Sequence, residues 1–344
     1  MLNSNRQKSF CFFFFRKRRL FFFLKKKEAK KTFSCADAVL LVGVLWLGAG
    51  PCWAAPRRVT VLLDWFVNPD HAPILVALQA GAFAALGLDV VLVPPADPMM
   101  PPKLVAAGHG DIAVTDQPHF MEQIAAGLPL RRVGALIDRP LASLMVLRSS
   151  GVGSVAGLRG KRIGIGSGDI ERVMVGAMLR HAGAAAADVS MVNVGEQLVV
   201  SLLGHHVDAV TIYRNFEPFE VREQGGAPVL FNYEDNGVPG YDEMIFVAAA
   251  DKARDAGVVG FLRGVAQGVA ALRADPEGCW RRFVAAYPDL DNAVNRSAWF
   301  ATLPYFAADP FAVDVERYEG FARFLAAAGA IGEVPRVGDY LVEK

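Results

Sequence analysis

Four side chains with binding chemistry follow one short apolar run. Residues 59–63 are typical of a buried strand, and the loop behind them carries Asp64, Trp65, Asn68 and His71. Polar and aromatic groups at the end of a strand are how open α/β sheets build small-molecule sites. A solvated turn with a core tryptophan is an equally good interpretation of this loop taken alone.

A second group of candidates lies in a glycine-rich loop between a predicted strand and a predicted helix. The loop at 164–171 spaces its glycines as G-x-G-x-G, which differs from the dinucleotide-binding pattern G-x-G-x-x-G. Free backbone N–H groups at the helix start can approach a ligand closely, and Ser167, Gly168, Asp169 and Glu171 lie beside them. The alternative is that Asp169 only caps the helix.

Two further segments carry aromatic and acidic side chains. Tyr213, Asn215 and Glu217 follow a strand predicted at 209–212. A tyrosine can stack on a flat ring, and a carboxylate can accept hydrogen bonds from an exocyclic amine. The motif Tyr241-Asp242-Glu243 serves either as a hinge or as a ligand contact, and Tyr241 is its candidate ligand-binding residue. The candidate ligand-binding residues are completed by Asp97 and Gln117.

No catalytic or metal-binding pattern accompanies these candidates. The six histidines show no i,i+4 spacing with an acid, and only His71 and His119 follow strand ends in a way that suggests a cleft. The nucleophile pattern G-x-S-x-G is absent. Cys279, the one cysteine after residue 55, lies beside Trp280 in an amphipathic stretch typical of a core helix. We expect no catalytic residue, metal or cofactor, and therefore a protein that is not an enzyme.

Alternating strand and helix patterns predict two α/β lobes. Helical runs that end at glycines separate the strands of a parallel, helix-covered sheet. The alternation restarts after residue 153, and residues 251–344 are nearly all helical. We expect the first lobe to comprise 56–147 and 245–344, with 148–244 inserted as the second. Crossings at about 144–148 and 241–247 would then form a hinge beside a ligand cleft.

The first 55 residues differ in composition from the rest of the chain. Basic blocks, an apolar run at 36–50 and small residues up to Ala55 predict a secretory signal peptide cleaved near Ala54, with an uncleaved anchor as the alternative. This leader holds 11 Lys and Arg against 2 Asp and Glu, so 25 basic and 33 acidic residues leave a net charge of −8 on 56–344, although the whole chain carries +1. An acidic body argues against a nucleic-acid partner.

Several of these motifs resemble one family. The chain is similar, over about 59–331, to the periplasmic substrate-binding proteins of ABC importers, and specifically to the binders of thiamine pyrimidine precursors. The resemblance implies a bilobal type II periplasmic-binding-protein fold with a helical C-terminal tail. The stretch at 158–164 is shared by many type II binding proteins. The motifs that carry the resemblance lie at 63–71, 95–98, 102–108, 158–164, 213–217 and 237–243.

The resemblance also implies how a ligand would be held. Trp65 and Asn68 line the site in the first lobe, with Tyr213, Glu217 and the loop at 166–171 opposite them. A pyrimidine lies between aromatic rings, and a carboxylate binds its amino group and ring nitrogen. Lobe closure presents the complex to a membrane permease and its ATPase. We expect a periplasmic monomer that meets the membrane only through that permease.

Two alternatives keep the same fold. Fungal pyrimidine synthases in the family make the pyrimidine from pyridoxal phosphate and a histidine, with a lysine, a histidine four residues later and a cysteine-rich loop. Here His119 falls at the histidine position, but Thr115 stands at the lysine position and 236–243 contains no cysteine. A sulfonate or nitrate would require cationic side chains. The candidate cleft is mostly acidic, with Arg214 as the only nearby counter-charge.

Overall fold

Ten β-strands lie in the part of the chain that the computed structural model describes, residues 55–166 and 168–342. They are β1 (Arg57–Leu62), β2 (Leu88–Val93), β3 (Ile112–Thr115), β4 (Leu130–Ile137), β5 (Ala142–Leu147), β6 (Arg162–Ile165), β7 (Ser190–Asn193), β8 (Ala209–Tyr213), β9 (Pro228–Asn232) and β10 (Met244–Ala249). They form two five-stranded sheets, ordered β2-β1-β3-β10-β4 and β7-β6-β8-β5-β9. Apart from Ala55, the expected signal peptide lies outside the described residues, as does Ser167.

Helices connect and cover the two sheets. The apolar run at 74–86 predicts a single helix, but the structure has two helices there because Gly81 adopts a left-handed backbone conformation, with φ of 73°. The predicted helical C-terminal region is confirmed. The α-helices of the described residues are α1 (Ala72–Gln79), α2 (Ala82–Ala85), α3 (Pro101–Ala106), α4 (Gln117–Ala125), α5 (Asp169–His181), α6 (Leu198–Leu203), α7 (Glu217–Glu223), α8 (Ala256–Ala274), α9 (Pro276–Ala286), α10 (Ala293–Thr302), α11 (Val315–Ala327) and α12 (Val337–Tyr340).

Both sheets are mixed, whereas the strand–helix alternation predicts parallel sheets. In the first sheet β10 runs antiparallel to β3 and β4, and in the second sheet β5 runs antiparallel to β8 and β9. Each of these two strands follows a segment that passes between the lobes. A largely buried and largely apolar strand shows neither its direction nor its partner in its sequence, which is why the strand–helix alternation predicts the wrong sheet type.

The pairing of β5 moves one expected lobe boundary. Residues 144–147 were expected to end the first lobe, yet Leu144 pairs with Thr211 and Phe231 in the second sheet. The first crossing therefore lies at 138–141, ahead of β5, and the return crossing lies at 241–243, ahead of β10. We propose lobe boundaries at these two crossings in place of those at 147 and 244. The two α/β units confirm the predicted bilobal fold.

The C-terminal helices complete the hydrophobic core. Phe261 on α8, Phe283 on α9 and Trp299 on α10 are fully buried in the core of the first lobe. Each buried aromatic ring stabilises the fold by about 1.5–3 kcal/mol. Helix α11 lies beside the return crossing, where the rings of Phe321 and Tyr241 have centroids 5.0 Å apart. No helix in the described residues is both long and apolar enough to cross a lipid bilayer.

Candidate ligand-binding site

A cavity of about 560 Å³, partly open to solvent, lies where the start of α4 in the first lobe meets the second lobe and the return crossing. The cavity combines carboxyl groups, tyrosines, one histidine and an apolar end. Its lining residues are Asp116, Pro118, His119, Ala142, Ile170, Glu171, Met174, Leu198, Thr211, Ile212, Tyr213, Glu217, Tyr233, Tyr241 and Glu243.

Two of the lining carboxyl groups have pKa values near or above neutral pH. Burial raises the pKa of Glu217 to about 8 and that of Glu243 to about 7. Glu217 begins α7, and its Oε2 accepts a hydrogen bond of 2.9 Å from the backbone N–H of Tyr213. At neutral pH Glu217 is therefore mostly a neutral acid, which can both donate and accept a hydrogen bond.

Glu171, predicted from the glycine-rich loop, also lines the cavity. Its Oε2 accepts hydrogen bonds from the backbone N–H of Gly166 at 2.9 Å and from the Thr211 hydroxyl at 3.2 Å. Burial raises the pKa of Glu171, and these two donors act in the opposite direction. The glycine-rich loop therefore positions an acid at the cavity wall.

His119 is the one cation among the lining residues. Its Nδ1 lies 2.7 Å from Oδ2 of Asp116, whose Oδ1 accepts the backbone N–H of His119 and so caps α4. Burial alone would lower the pKa of His119, but the charge of Asp116 and this hydrogen bond raise it to about 9. Arg214, the counter-charge expected from the sequence, pairs instead with Glu234 at 2.6 Å.

Three tyrosines form much of the cavity wall. Tyr233 and Tyr241 are buried, whereas Tyr213 is 46 % exposed. Burial raises the pKa values of Tyr233 and Tyr241 well above the ordinary range, so both hydroxyls are neutral. The exposed ring of Tyr213, next to Glu217 in space, is available to stack on a flat ligand.

The polar side chains of the loop after β1 form hydrogen bonds mainly within the loop. His71 is fully buried, with Nε2 2.9 Å from Oδ1 of Asp64 and Nδ1 accepting the backbone N–H of Asn68 at 3.4 Å. Asn68 caps a short 3₁₀ helix through the backbone N–H of Asp70 at 2.8 Å. Its amide nitrogen donates to the carbonyl of Phe66 at 3.1 Å. These contacts fix the loop and occupy most of its polar side chains.

Trp65 is half-buried in the same loop and packs edge-to-face against Phe66, with centroids 5.8 Å apart. The residues that line the cavity include none from this loop. The ligand contacts expected of Asp64, Trp65, Asn68 and His71 therefore stay predictions.

One buried cluster connects this loop to the second lobe. The amide nitrogen of Asn215 donates to Oδ1 of Asp70 at 2.6 Å and to the hydroxyl of Thr302 at 2.8 Å. Oγ1 of Thr302 also lies 3.0 Å from Oδ1 of Asp70. Burial raises the pKa of Asp70 to about 6. Asn215, predicted as a ligand contact, makes a contact between the lobes in this structure.

Two other predicted residues lie away from the cavity lining. Asp97 is exposed, and its Oδ1 accepts the backbone N–H of Met99 at 2.9 Å within a turn. Gln117 is fully buried at the start of α4, where its Oε1 accepts the backbone N–H of Asp242 at 2.8 Å. In this structure Gln117 braces the return crossing.

The remaining predicted residues surround the start of α5. Gly168 and Asp169 are exposed there, and neither lines the cavity. Gly168 has φ of +102°, and a Cβ atom built on it would lie 3.5 Å from Nε2 of His119. That nitrogen, from the first lobe, has no hydrogen-bond partner among the described residues. The positive φ favours glycine at this position, whereas a Cβ atom at 3.5 Å would make only an ordinary van der Waals contact with His119.

A buried cluster holds the two crossings to α11. Asp242 accepts hydrogen bonds from the hydroxyl of Tyr318 at 2.6 Å, from Arg132 at 3.3 Å and from Arg317. Arg317 also donates to the backbone carbonyl of Asp138, in the first crossing, at 2.9 Å. Helix α11 thereby connects to both crossings.

Four polar lining residues were not predicted from the sequence. Asp116 had a usable signal, because an aspartate three residues before a histidine at a helix start is a typical N-cap. Glu243 stood in the Tyr-Asp-Glu motif, but only Tyr241 was chosen from it. Thr211 and Tyr233 carry no distinguishing pattern. The described residues contain no group of three or more His, Cys, Asp or Glu side chains placed to hold a metal ion.

The fold is that of the periplasmic binding proteins. The alkanesulfonate-binding protein SsuA from Xanthomonas axonopodis pv. citri, solved with bound MOPS, superposes with a TM-score of 0.67 over 85% of this chain and 100% of that one. The two sequences are 16% identical, so this likeness defines the fold and not the ligand.

The chain belongs to the NMT1/THI5 like family, whose profile matches residues 68–279. A Haemophilus influenzae protein named for thiamine biosynthesis is 40% identical over 84% of this chain and 93% of its own length. The formylaminopyrimidine-binding protein of Halalkalibacterium halodurans is 31% identical over 65% and 68%. A Legionella pneumophila relative named 4-amino-5-hydroxymethyl-2-methylpyrimidine phosphate synthase is 28% identical over 75% and 82%.

Proposed function

We propose that this chain is the substrate-binding component of an ABC importer and captures a thiamine pyrimidine precursor, either hydroxymethylpyrimidine or formylaminopyrimidine. The observation that carries the proposal is the cavity composition, with four carboxyl groups and three tyrosines around a single histidine. Carboxyl groups favour ligands that offer amine donors and ring nitrogens, and tyrosine rings favour flat ligands. The formylaminopyrimidine-binding relative supports the same ligand class.

Glu217 is the residue that we assign to the amino edge of the pyrimidine. Its carboxyl group, with a pKa raised to about 8 by burial, offers one O–H donor and one carbonyl acceptor at neutral pH. An aminopyrimidine presents the complementary pair, an acceptor ring nitrogen beside a donor amine. The backbone N–H of Tyr213 holds the carboxyl group, and the ring of the same tyrosine supplies a stacking surface.

Lobe closure is the proposed mechanism of capture. The ligand contacts residues of both lobes, so it binds the closed arrangement more tightly than the open one and shifts the equilibrium toward it. The closed form is then recognised by a permease with its ATPase. Export by the leader would place this monomer in the periplasm, where the ligand is collected.

Isothermal titration calorimetry of the purified protein tests the proposal. We expect saturable binding of hydroxymethylpyrimidine, formylaminopyrimidine or both, and no binding of riboflavin or taurine. Binding of taurine without binding of either pyrimidine would refute the proposal, because it would indicate an anion site of the sulfonate type.

A pyrimidine synthase is the second candidate, because several relatives carry that name. The resemblance implies that this chemistry needs a lysine where the chain has Thr115, which is buried at the end of β3, and cysteines in a loop where residues 236–243 have none. Incubation with pyridoxal phosphate separates the two candidates. The enzyme would release a pyrimidine and change the mass of the peptide that contains His119, whereas a binding protein would do neither.

A further inference from the structure

Glu243 connects the cavity with both crossings between the lobes. It lies in the return crossing, is 4% exposed and lines the cavity. Its Oε2 accepts hydrogen bonds from the backbone N–H of Leu141, from that of Ala142 at 3.0 Å and from the hydroxyl of Tyr241 at 3.1 Å. Leu141 ends the first crossing, so one carboxylate oxygen ties the two crossings together.

The other oxygen of this carboxyl group is free for a ligand. Oε1 of Glu243 accepts no hydrogen bond from the described residues, whose contacts with this side chain all reach Oε2. Asp242, the neighbouring acid in the same crossing, differs because both of its carboxylate oxygens are occupied by Arg132, Arg317 and Tyr318 and it does not line the cavity.

We infer that Glu243 is a ligand-contacting residue that couples capture to closure, with Oε1 of the ionised carboxylate accepting an N–H or O–H of the ligand while Oε2 holds the two crossings together. The inference rests on the proposed function and adds to it a role for Glu243, which belongs to the motif at 237–243 but was not among the predicted ligand contacts. Opening of the lobes rotates the chain at these crossings and changes the distance between Oε2 and its backbone donors. A ligand that fixes the carboxyl group therefore favours the closed arrangement.

The variant Glu243→Gln tests whether both oxygens of the side chain are needed. An amide has one acceptor oxygen, which can serve the crossings or the ligand but not both, and its NH₂ group repels whichever donor remains. We expect calorimetry at about pH 8, where Glu243 of the wild type is mostly ionised, to show about 10- to 100-fold weaker binding of hydroxymethylpyrimidine. We also expect that saturating ligand no longer reduces the radius of gyration measured by small-angle X-ray scattering.

Two matched variants serve as controls. Glu217→Gln changes an acid that lines the same cavity but bonds only within the second lobe, so saturating ligand should still compact it. Glu223→Gln changes an exposed acid on α7 and should behave as the wild type. Unchanged affinity of Glu243→Gln, or full compaction at saturation, would overturn the inference while leaving the proposed function intact. A wild-type protein that binds neither pyrimidine would overturn both.

Hydrogen exchange in the wild type tests the same point even if Glu243→Gln fails to fold. Hydroxymethylpyrimidine should slow exchange of the backbone N–H groups of Leu141 and Ala142 at least tenfold, because their acceptor becomes fixed. Slower exchange at Tyr213, whose N–H bonds Glu217, without any change at Leu141 and Ala142 would contradict the inference.

Discussion

The loop after β1 and the second lobe approach each other, and both carry polar side chains. These side chains form different kinds of contact in the two regions. In the loop after β1, Asp64, Asn68 and His71 hydrogen-bond mainly with one another and with the local backbone. In the second lobe, Glu171 and Glu217 each hold one oxygen on the backbone and still line the cavity. Polar residues at the end of a strand are therefore not always available to a ligand, because hydrogen bonds within the loop can occupy the same side chains. We expect the second lobe and the hinge to provide most of the binding free energy.

Of the changes that compare these two regions, replacement of Glu217 by alanine should produce the largest loss of affinity. Glu217→Ala removes both the donor and the acceptor for the pyrimidine edge, so we expect about 10- to 100-fold weaker binding of hydroxymethylpyrimidine by calorimetry. Glu217→Gln keeps one donor and one acceptor and should lose less than about fivefold. An equal loss in the two variants would indicate that the ligand requires an ionised carboxylate.

Removal of the contact between the two segments should have an intermediate effect. Asn215→Ala leaves Asp70 buried with one donor fewer, and we expect about tenfold weaker binding because closure loses a charge-assisted hydrogen bond. Asn193→Ala, which removes an exposed amide bonded only to the local N–H of Gly195, is the matched control. Equal affinities of Asn215→Ala and the control would show that this contact contributes nothing to capture.

Trp65→Ala tests the contribution of the loop after β1. Trp65 packs on Phe66 outside the cavity lining, so we expect a loss of only about two- to fivefold in affinity. Asp97→Ala, on an exposed turn, should cause no change. A greater loss of affinity for Trp65→Ala than for Glu217→Ala would show that the loop after β1 contributes more to binding than the second lobe. It would support the stacking of Trp65 on the ligand that is expected from the sequence.

The stability of the ligand-free protein should decrease as pH rises from about 5 to 9. Burial raises the pKa of Glu243 to about 7 and that of Glu217 to about 8, so the folded chain retains protons that the unfolded chain releases near pH 4. Burial alone would lower the pKa of His119, but Asp116 raises it to about 9. Above pH 6.5 the folded chain therefore retains this proton as well, and stability again decreases as pH rises. Denaturant titrations should show a free energy of unfolding that falls steadily across this pH range.

The Glu217→Gln variant locates the source of this decrease. It removes one of the second-lobe groups, so its free energy of unfolding should vary less with pH between 6 and 8 than that of the wild type. An identical pH dependence in the two proteins would mean that Glu217 does not hold a proton in the folded state.

The sequence predicted most of the helices and strands, but less of how the strands pair and in which direction they run. The strands at 130–137, 162–165 and 244–249 match the structure at both ends, because apolar runs between turn residues define them. The direction of β5 and its sheet could not be read, since its all-apolar face fits either lobe. The boundary that we propose for the first crossing differs from the expected one for the same reason.

The candidate site shows a similar division. Glu171, Glu217, Tyr213 and Tyr241 were predicted and line the cavity. Sequence patterns could not show that the polar atoms of His71 and Asn68 form hydrogen bonds within the loop, because these bonds depend on side-chain conformation. They also could not show that Glu243 reaches across to Leu141, since the two residues are brought together only by the fold.

A crystal structure of the protein with hydroxymethylpyrimidine tests the central claim most directly. We expect the ring against Tyr213, with its amino group and ring nitrogen within hydrogen-bond distance of the Glu217 carboxyl group. A ring stacked on Trp65, with Glu217 making no contact to the ligand, would contradict the account.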